Sequence, residues 1–278
     1  MYYDVTLVIT AFNEEKYLPI LLDSIKNQKT DLKIEIVLID DSSADNTLKI
    51  AEEFKTTYGE RYLKILHNDK KSDVQYMRNT GLRDALGKVI IFFDADVAVS
   101  DNFIDNMVRP IIEGKTDATL CKTYALLEAF YDVLPEKYSK SYVSFIRHCP
   151  RFMMKRFPVQ FVPWILRWFN MMKDNKKFIS IWNVPNRTHT TGIAVKTEIA
   201  RKSGGWKVKI GDGDDAQYSN DVCSFSSKVL WVGKCILFIS RRRVFPTNNA
   251  WISDILFKPI KKLLHKRKNQ NDYSQSIR

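Results

Sequence analysis

The feature that most narrows the fold is a succession of short, β-branched apolar runs. Each stops at polar or acidic residues and is followed by apolar residues at helical spacing. Val5 to Thr10 (VTLVIT) is apolar on both faces, as a strand covered on both sides of a parallel sheet must be. After a turn at Ala11 to Glu14, Tyr17, Leu18, Leu21, Leu22 and Ile25 recur at helical spacing. Ile34 to Ile39 (IEIVLI) is a second buried strand ending in Asp40-Asp41-Ser42-Ser43, and Ser43 or Asp45 is placed to cap a helix carrying Leu48, Ile50, Ala51 and Phe54. A third strand at Leu63 to Leu66, a helix around Val74 to Ala85 and a fourth strand at Val89 to Phe93 follow, the last ending in Asp94-Ala95-Asp96. This alternation predicts an α/β fold, βαβ units on a mostly parallel central sheet flanked by helices, with ligands outside the carboxyl ends of the strands. The polar ends of strands one, two and four fall where that rule puts a cleft.

With 278 residues, 45% hydrophobic and 27% charged, the chain can bury a sizeable core, which excludes a disordered tail or a disulfide-stapled miniprotein. Cys121, Cys149, Cys223 and Cys235 are too few and too scattered for a disulfide framework, and no Cys/His cluster offers a zinc site, so a reducing, cytoplasmic compartment is expected. The N-terminus lacks the basic region and apolar stretch of a signal peptide, and no run of 18 apolar residues occurs, so neither secretion nor a membrane span is expected. The net charge of +12 is unevenly spread: −4 over residues 1–100, +6 over 101–200 and +10 over 201–278. The acidic and basic parts must do different work.

Two carboxylates separated by one residue at the end of a buried strand, Asp94 and Asp96, can hold Mg²⁺ or Mn²⁺ through oxygen ligands while a diphosphate completes the shell. Asp40 and Asp41 follow the second strand. Clustered carboxylates repel one another, and a cation offsets that. Further on, Gly211-Asp212-Gly213-Asp214-Asp215 lacks both the spacing and the bidentate Glu of a calcium loop.

Thr10-Ala11-Phe12-Asn13-Glu14, Asp40-Asp41-Ser42-Ser43, Arg78-Asn79-x-Gly81 and Asp94-Ala95-Asp96, in this order, resemble the serial signatures of the family 2 glycosyltransferases with the GT-A fold. The resemblance covers residues 3 to about 115 and resumes from Thr191-Gly192 through Asp215. It implies an inverting, metal-dependent transferase using a UDP- or GDP-type sugar donor. Carried onto these positions, the segment of Ala11 and Phe12, with Glu14, would hold the nucleoside and Asp41 the base. Arg78 would lie on the nucleotide side, and Asp94, Ala95 and Asp96 at the ribose and the metal. In the second half the family has a Gly-Gly-aromatic element, here Gly204-Gly205-Trp206, followed by an acidic pair whose second member takes the acceptor's proton. That implies Asp215 as base and Asp214 as the residue orienting the acceptor. Asp214 stands where Glu is usual, so Asp212 is the alternative register. Ser240-Arg241-Arg242-Arg243 resembles the family's serine-arginine element beside the diphosphate, with Arg242 its phosphate ligand. The processive Gln-x-x-Arg-Trp signature is absent.

Four segments follow: a nucleotide-sugar-binding α/β half at 1–120, an aromatic and basic helical insertion at 121–190, an acceptor-side half at 191–248, and a basic amphipathic tail at 249–278. The dense aromatics and bases of 138–169 and of the tail have the composition of interfacial segments, which points to a membrane surface, on the cytoplasmic face, and to a glycan or lipid-linked acceptor. No nucleic-acid-binding motif occurs and the N-terminal cleft is acidic, so nucleic acid is not an expected partner. The competing readings are a polyprenyl-phosphate glycosyltransferase, whose acceptor is already ionised, and a GT-A-like protein that binds a nucleotide without turnover. The sequence fixes no oligomeric state.

Overall fold

A computed structural model describes residues 3–59, 62–126, 178–179, 192–207 and 214–240. In chain order the elements are β1 (Tyr3–Ala11), α1 (Leu18–Lys26), β2 (Ile34–Asp40), α2 (Thr47–Tyr58), β3 (Leu63–His67), α3 (Val74–Asp84), β4 (Gly87–Asp94), β5 (Val97–Val99) and α4 (Phe103–Ile112). They continue as β6 (Ala118–Leu126), β7 (Phe178–Ile179), β8 (Ile193–Lys196), α5 (Thr197–Lys202), α6 (Asp214–Phe225) and β9 (Val229–Ile239). All of these lie in one compact unit, residues 1–239; the second unit, 240–278, is described only at Ser240.

Among the described residues one sheet runs β3-β2-β1-β4-β8-β6-β9-β5, with β7 beside β9. The ladders β1–β2, β1–β4, β2–β3 and β6–β9 are long and parallel, while those joining β4 to β8, β6 to β8, β5 to β9 and β7 to β9 are short and antiparallel. The expected mostly parallel sheet flanked by helices is therefore the one found. From β1 the chain winds outward to β2 and β3, then returns so that β4 lies on the other side of β1. That reversal is the switch point at which a doubly wound sheet opens a crevice at its carboxyl edge.

Alternation along the strands divides the core into two layers. Val5, Leu7, Ile9 and Ala11 of β1 and Val89, Ile91 and Phe93 of β4 face the layer formed with α1 and α4, built on Leu18, Leu21, Leu22, Phe103, Ile104 and Met107. Val8, Ile90 and Phe92 face the opposite layer, which holds Met77 and Leu82 of α3, Ile199 and Ala200 of α5, and Tyr218 and Val222 of α6. This is why the strands read as unbroken apolar runs: both faces are covered. Gly81 lets α3 approach β1 closely, since a Cβ there would lie 2.2 Å from Val8 Cγ1.

Of the two residues expected to cap α2, Asp45 does so and Ser43 does not: Asp45 Oδ1 accepts from the N–H of Thr47, the first residue of the helix, at 3.0 Å. The N-cap position itself is Asn46, without a side-chain cap bond, and Ser43 and the second oxygen of Asp45 serve the junction between two loops. Ser43 Oγ accepts from Asn13 N–H at 2.9 Å and Asp45 Oδ2 accepts from Glu15 N–H at 3.1 Å. One carboxylate thus serves both a donor in the first turn of α2 and a donor in the loop after β1. Residues 138–169 and 249–278, expected as interfacial segments, lie outside the described residues.

Candidate active site

Two loops form the floor of the crevice, one after β1 and one after β2, and they are laced together. Asn13 Oδ1 accepts from Ala44 N–H at 2.8 Å, Thr47 Oγ1 from Glu14 N–H at 2.7 Å, and Glu15 Oε2 from Asn46 Nδ2 at 2.9 Å. Asn13 (φ 55°) and Ser42 (φ 54°) both adopt the left-handed region, which lets each loop turn sharply off its strand. The result is a preformed rim. Ala11 is buried within it, Phe12 is half-buried, and Lys71 Nζ lies 3.8 Å over the Phe12 ring, while Glu14 is 2% exposed.

Of the two acids after β2, Asp40 is fully buried, its Oδ2 accepting from Ser43 N–H at 3.2 Å and facing His67 Nδ1 at 2.9 Å. Asp40 thus ties β2 to β3. Asp41 has the other geometry: Oδ1 accepts from Asn68 Nδ2 at 3.0 Å, Ser72 N–H at 2.9 Å and Ser72 Oγ at 2.8 Å. Three donors on one oxygen hold the carboxylate in a single orientation. Asn68 and Ser72 were not anticipated, because their role depends on β3 and the start of α3 folding back onto β2.

The Asp94-Ala95-Asp96 turn is fastened to the first strand by Ala95 N–H donating to Thr10 O at 3.2 Å, with Ala95 1% and Asp96 4% exposed. Arg78 of α3, 4% exposed, reaches the same rim. Its Nη2 lies 2.9 Å from Asp94 Oδ1 and its Nη1 3.7 Å from Asp215 Oδ1, and its guanidinium stacks 4.3 Å over the Trp206 ring. Trp206 stacks in turn on Tyr218 of α6 at 4.0 Å and 12°. Burial holds the Tyr218 hydroxyl well above the usual phenol range, Arg78 pulling modestly the other way, so Tyr218 stays neutral. Glu14, Asp41, Arg78, Asp94, Ala95, Asp96 and Asp215 therefore sit at the carboxyl edge or on helices facing it. Asp214 is the first residue of α6, whereas Asp212 and Arg242 lie outside the described residues.

Carboxylate oxygens on a tight turn suit Mg²⁺ or Mn²⁺. Among the described residues no group of three or more His, Cys, Asp or Glu is placed to hold a metal ion by itself. A cation that keeps most of its shell for water or phosphate oxygens needs only one or two protein carboxylates, and the turn offers Asp94 and Asp96.

The sequence model for "Glycosyl transferase family 2" matches residues 6–189. The chain belongs to this family. Among relatives, the Streptococcus pneumoniae serotype 4 (strain ATCC BAA-334 / TIGR4) glycosyltransferase GlyG is 29% identical over 120 residues, covering 43% of this chain and 39% of GlyG. The chain spans well under half the length of the curated relatives it matches. S. aureus TarS 1-349 in complex with UDP-GlcNAc superposes with a TM-score of 0.63 at 18% identity, over 87% of this chain and 59% of TarS. The Pyrobaculum calidifontis mannosyltransferase PcManGT, in complex with GDP-Man and Mn²⁺, gives a TM-score of 0.56 at 19% identity, over 85% of this chain and 57% of its own. At such identities the superpositions establish the fold, which is that of these transferases.

Proposed function

We propose that this family 2 chain transfers a sugar from a UDP- or GDP-sugar to a hydroxyl acceptor, with inversion at the anomeric carbon. The observation that carries the reading is the Arg78 bridge. One guanidinium holds an acid from the donor-side turn, Asp94, and an acid from the acceptor-side helix, Asp215, at a single point of the crevice.

In this reading Asp41 accepts from the base and the Phe12 segment flanks the nucleoside. Asp94 and Asp96 would hold Mn²⁺ or Mg²⁺, which when bound offsets the charge gathering on the leaving diphosphate. Arg78 adds fixed positive charge beside that diphosphate. Asp215 takes the proton from the acceptor hydroxyl as it attacks, and Asp214 orients the acceptor. Arg242 supplies a further phosphate contact. The UDP-GlcNAc and GDP-Man complexes of the structural neighbours support the donor class, and the Mn²⁺ in one of them supports the cation.

The test is thermal shift across a panel of UDP- and GDP-sugars with and without Mn²⁺, because a ligand that binds only the native state raises its melting point. Stabilisation by one nucleotide series that grows with Mn²⁺ supports the reading. No shift with any member refutes it.

The acceptor reading is a glycan or lipid-linked hydroxyl at the cytoplasmic face of a membrane, with 138–169 and the basic tail as anchors. Among the described residues no helix is long and apolar enough to cross a membrane. Each Lys or Arg near an anionic surface contributes roughly 1 kcal/mol, and Lys258, Lys261, Lys262, Lys266 and Arg267 lie in the tail. Co-sedimentation with anionic liposomes, lost in high salt and weakened in a chain ending at Asn249, is the expected result. If both forms remain in the supernatant at low salt, the membrane assignment fails.

A further inference from the structure

Asn79 follows Arg78 on α3 and spends its side-chain amide on the main chain of Trp206. Its Nδ2 donates to the Trp206 carbonyl at 2.7 Å and its Oδ1 accepts from the Trp206 N–H at 2.8 Å. The orientation of the amide is unambiguous, because a carbonyl only accepts and a backbone N–H only donates. The turn it grips is shaped for it. Gly204 and Gly205 have φ of +86° and +66°, and a Cβ on Gly205 would lie 2.4 Å from Asn79 Oδ1. A side chain there would displace the amide.

What Asn79 holds at the main chain is used at the ring. Trp206 carries the Arg78 guanidinium on its indole and stacks on Tyr218, and Phe92 of β4 meets both rings edge-on at 5.4 and 5.5 Å. Tyr218 and Asp215 are three residues apart on α6 and so share a face. A second tie keeps α3 and α5 in register: Arg201 Nη2 donates to the Ala85 carbonyl at 2.7 Å and to the Leu82 carbonyl at 3.2 Å. The path from Asn79 to Asp215 is therefore continuous, through Trp206 main chain, Trp206 ring, Tyr218 ring and helix α6.

We propose that Asn79 is a positioning residue: by clamping Trp206 it fixes where α6, and with it Asp215, stands relative to the donor-side acids. The kinetic consequence rests on the transferase reading above, whereas the mechanical one does not. Loss of the clamp displaces Asp215 and leaves the loops after β1 and β2 intact, so turnover suffers much more than nucleotide binding, which feels the change only through Arg78 on the indole. A misplacement of about 1 Å in such a constellation costs up to about 100-fold in rate.

The experiment uses the full chain, Asn79→Ala and, as a second variant acting on the same contact from the other side, Gly205→Ala. In amide hydrogen exchange, residues 204–207 and α6 should exchange about 10-fold faster in both variants, with β1 and β2 unchanged. With UDP-GlcNAc and GDP-mannose as probes in Mn²⁺, kcat for donor hydrolysis should fall about 10- to 100-fold, with KM and UDP or GDP affinity changing by a much smaller factor. The double variant should be no worse than the poorer single one, since both break one contact. Unchanged exchange in α6, equal acceleration throughout the sheet, additive losses, or a fall in nucleotide affinity matching the fall in kcat would each overturn the assignment. If the unmodified chain neither binds UDP or GDP nor hydrolyses the probes, the transferase reading fails, and the exchange measurement still decides the role of Asn79.

Discussion

Arg78 Nη1 stands 3.7 Å from Asp215 Oδ1 while Nη2 of the same guanidinium lies 2.9 Å from Asp94 Oδ1. The two acids come from distant parts of the chain and are side by side only because α3 packs closely on the sheet at Gly81 and α6 stacks on Trp206. A planar fork can face two carboxylates and lie flat on an indole at once; an ammonium cannot.

Arg78→Lys preserves the charge and loses the fork. The expected result is a folded protein whose kcat/KM for a nucleotide sugar falls by roughly 10² to 10³, the scale seen when a fixed electrostatic contact to a leaving group is lost. Steady-state kinetics on the thermally intact variant checks it. A lysine variant within threefold of the unmodified protein would mean the bridge is structural only.

The metal assignment separates by residue. Asp96→Ala, and to a lesser degree Asp94→Ala, should abolish the additional thermal stabilisation that Mn²⁺ gives to a nucleoside diphosphate, without lowering the melting temperature of the ligand-free protein by more than a few degrees. Asp94 is the weaker because it also answers to Arg78. Differential scanning fluorimetry with UDP and GDP, with and without Mn²⁺, makes the comparison. Retained metal dependence in both variants would sink the assignment.

How much of this was legible follows from which interactions leave a local trace. A strand covered on both faces must be apolar throughout, so β1, β2 and β4 could be read to within a residue or two, and the acids that end them could be placed at the carboxyl edge. Helix α4 was not anticipated, although Phe103, Ile104, Met107, Val108 and Ile111 recur at helical spacing, because Pro110 in its last turn reads as a breaker. Three-residue β5 is too short to show a period. At the site, Arg78 was visible as part of a motif, but its partnership with Asp215 was not. The Asn79–Trp206 clamp left less trace still, because it binds a main chain 127 residues away and demands nothing of the tryptophan side chain. Both ends lie in motifs the sequence showed, Asn79 beside Arg78 and Gly205 beside Trp206, but only Gly205, whose missing Cβ makes room for the amide, bears on the contact between them.

Acid stability should depend on Asp117, at the edge where β6, β8 and the turn before β9 meet. Its Oδ1 lies 2.6 Å from Lys196 Nζ, and its Oδ2 accepts from Ser227 N–H at 2.8 Å and from the Ser227 hydroxyl. Burial alone would raise this carboxyl, but Lys196 and the Ser227 donors outweigh it and hold the pKa at about 2. A carboxyl lowered on folding contributes stability that is fully present above its unfolded pKa, near 4, and is lost as pH falls through its folded value. Asp117→Asn should therefore melt a few degrees lower at pH 7, with the difference closing between about pH 4 and pH 2. A gap that stays constant over that window would show that Asp117 acts through shape and not charge.

The final prediction concerns the proton. Asp215→Asn keeps the shape of the side chain and removes its basicity, so transfer to a hydroxyl acceptor should fall by roughly 10² to 10⁴-fold while UDP or GDP affinity changes little. Weakened pairing with Arg78 would by itself act on the diphosphate side, and would appear as a change in nucleotide affinity. The split between kcat and affinity therefore tells the two roles apart. If Asp214→Asn or Asp212→Asn is the crippling change and Asp215→Asn is not, the base sits in another register of the same acidic segment. If none of the three matters while the donor still binds, no proton has to be taken, and the acceptor is a phosphate, as on a polyprenyl carrier, whose oxygen arrives already ionised.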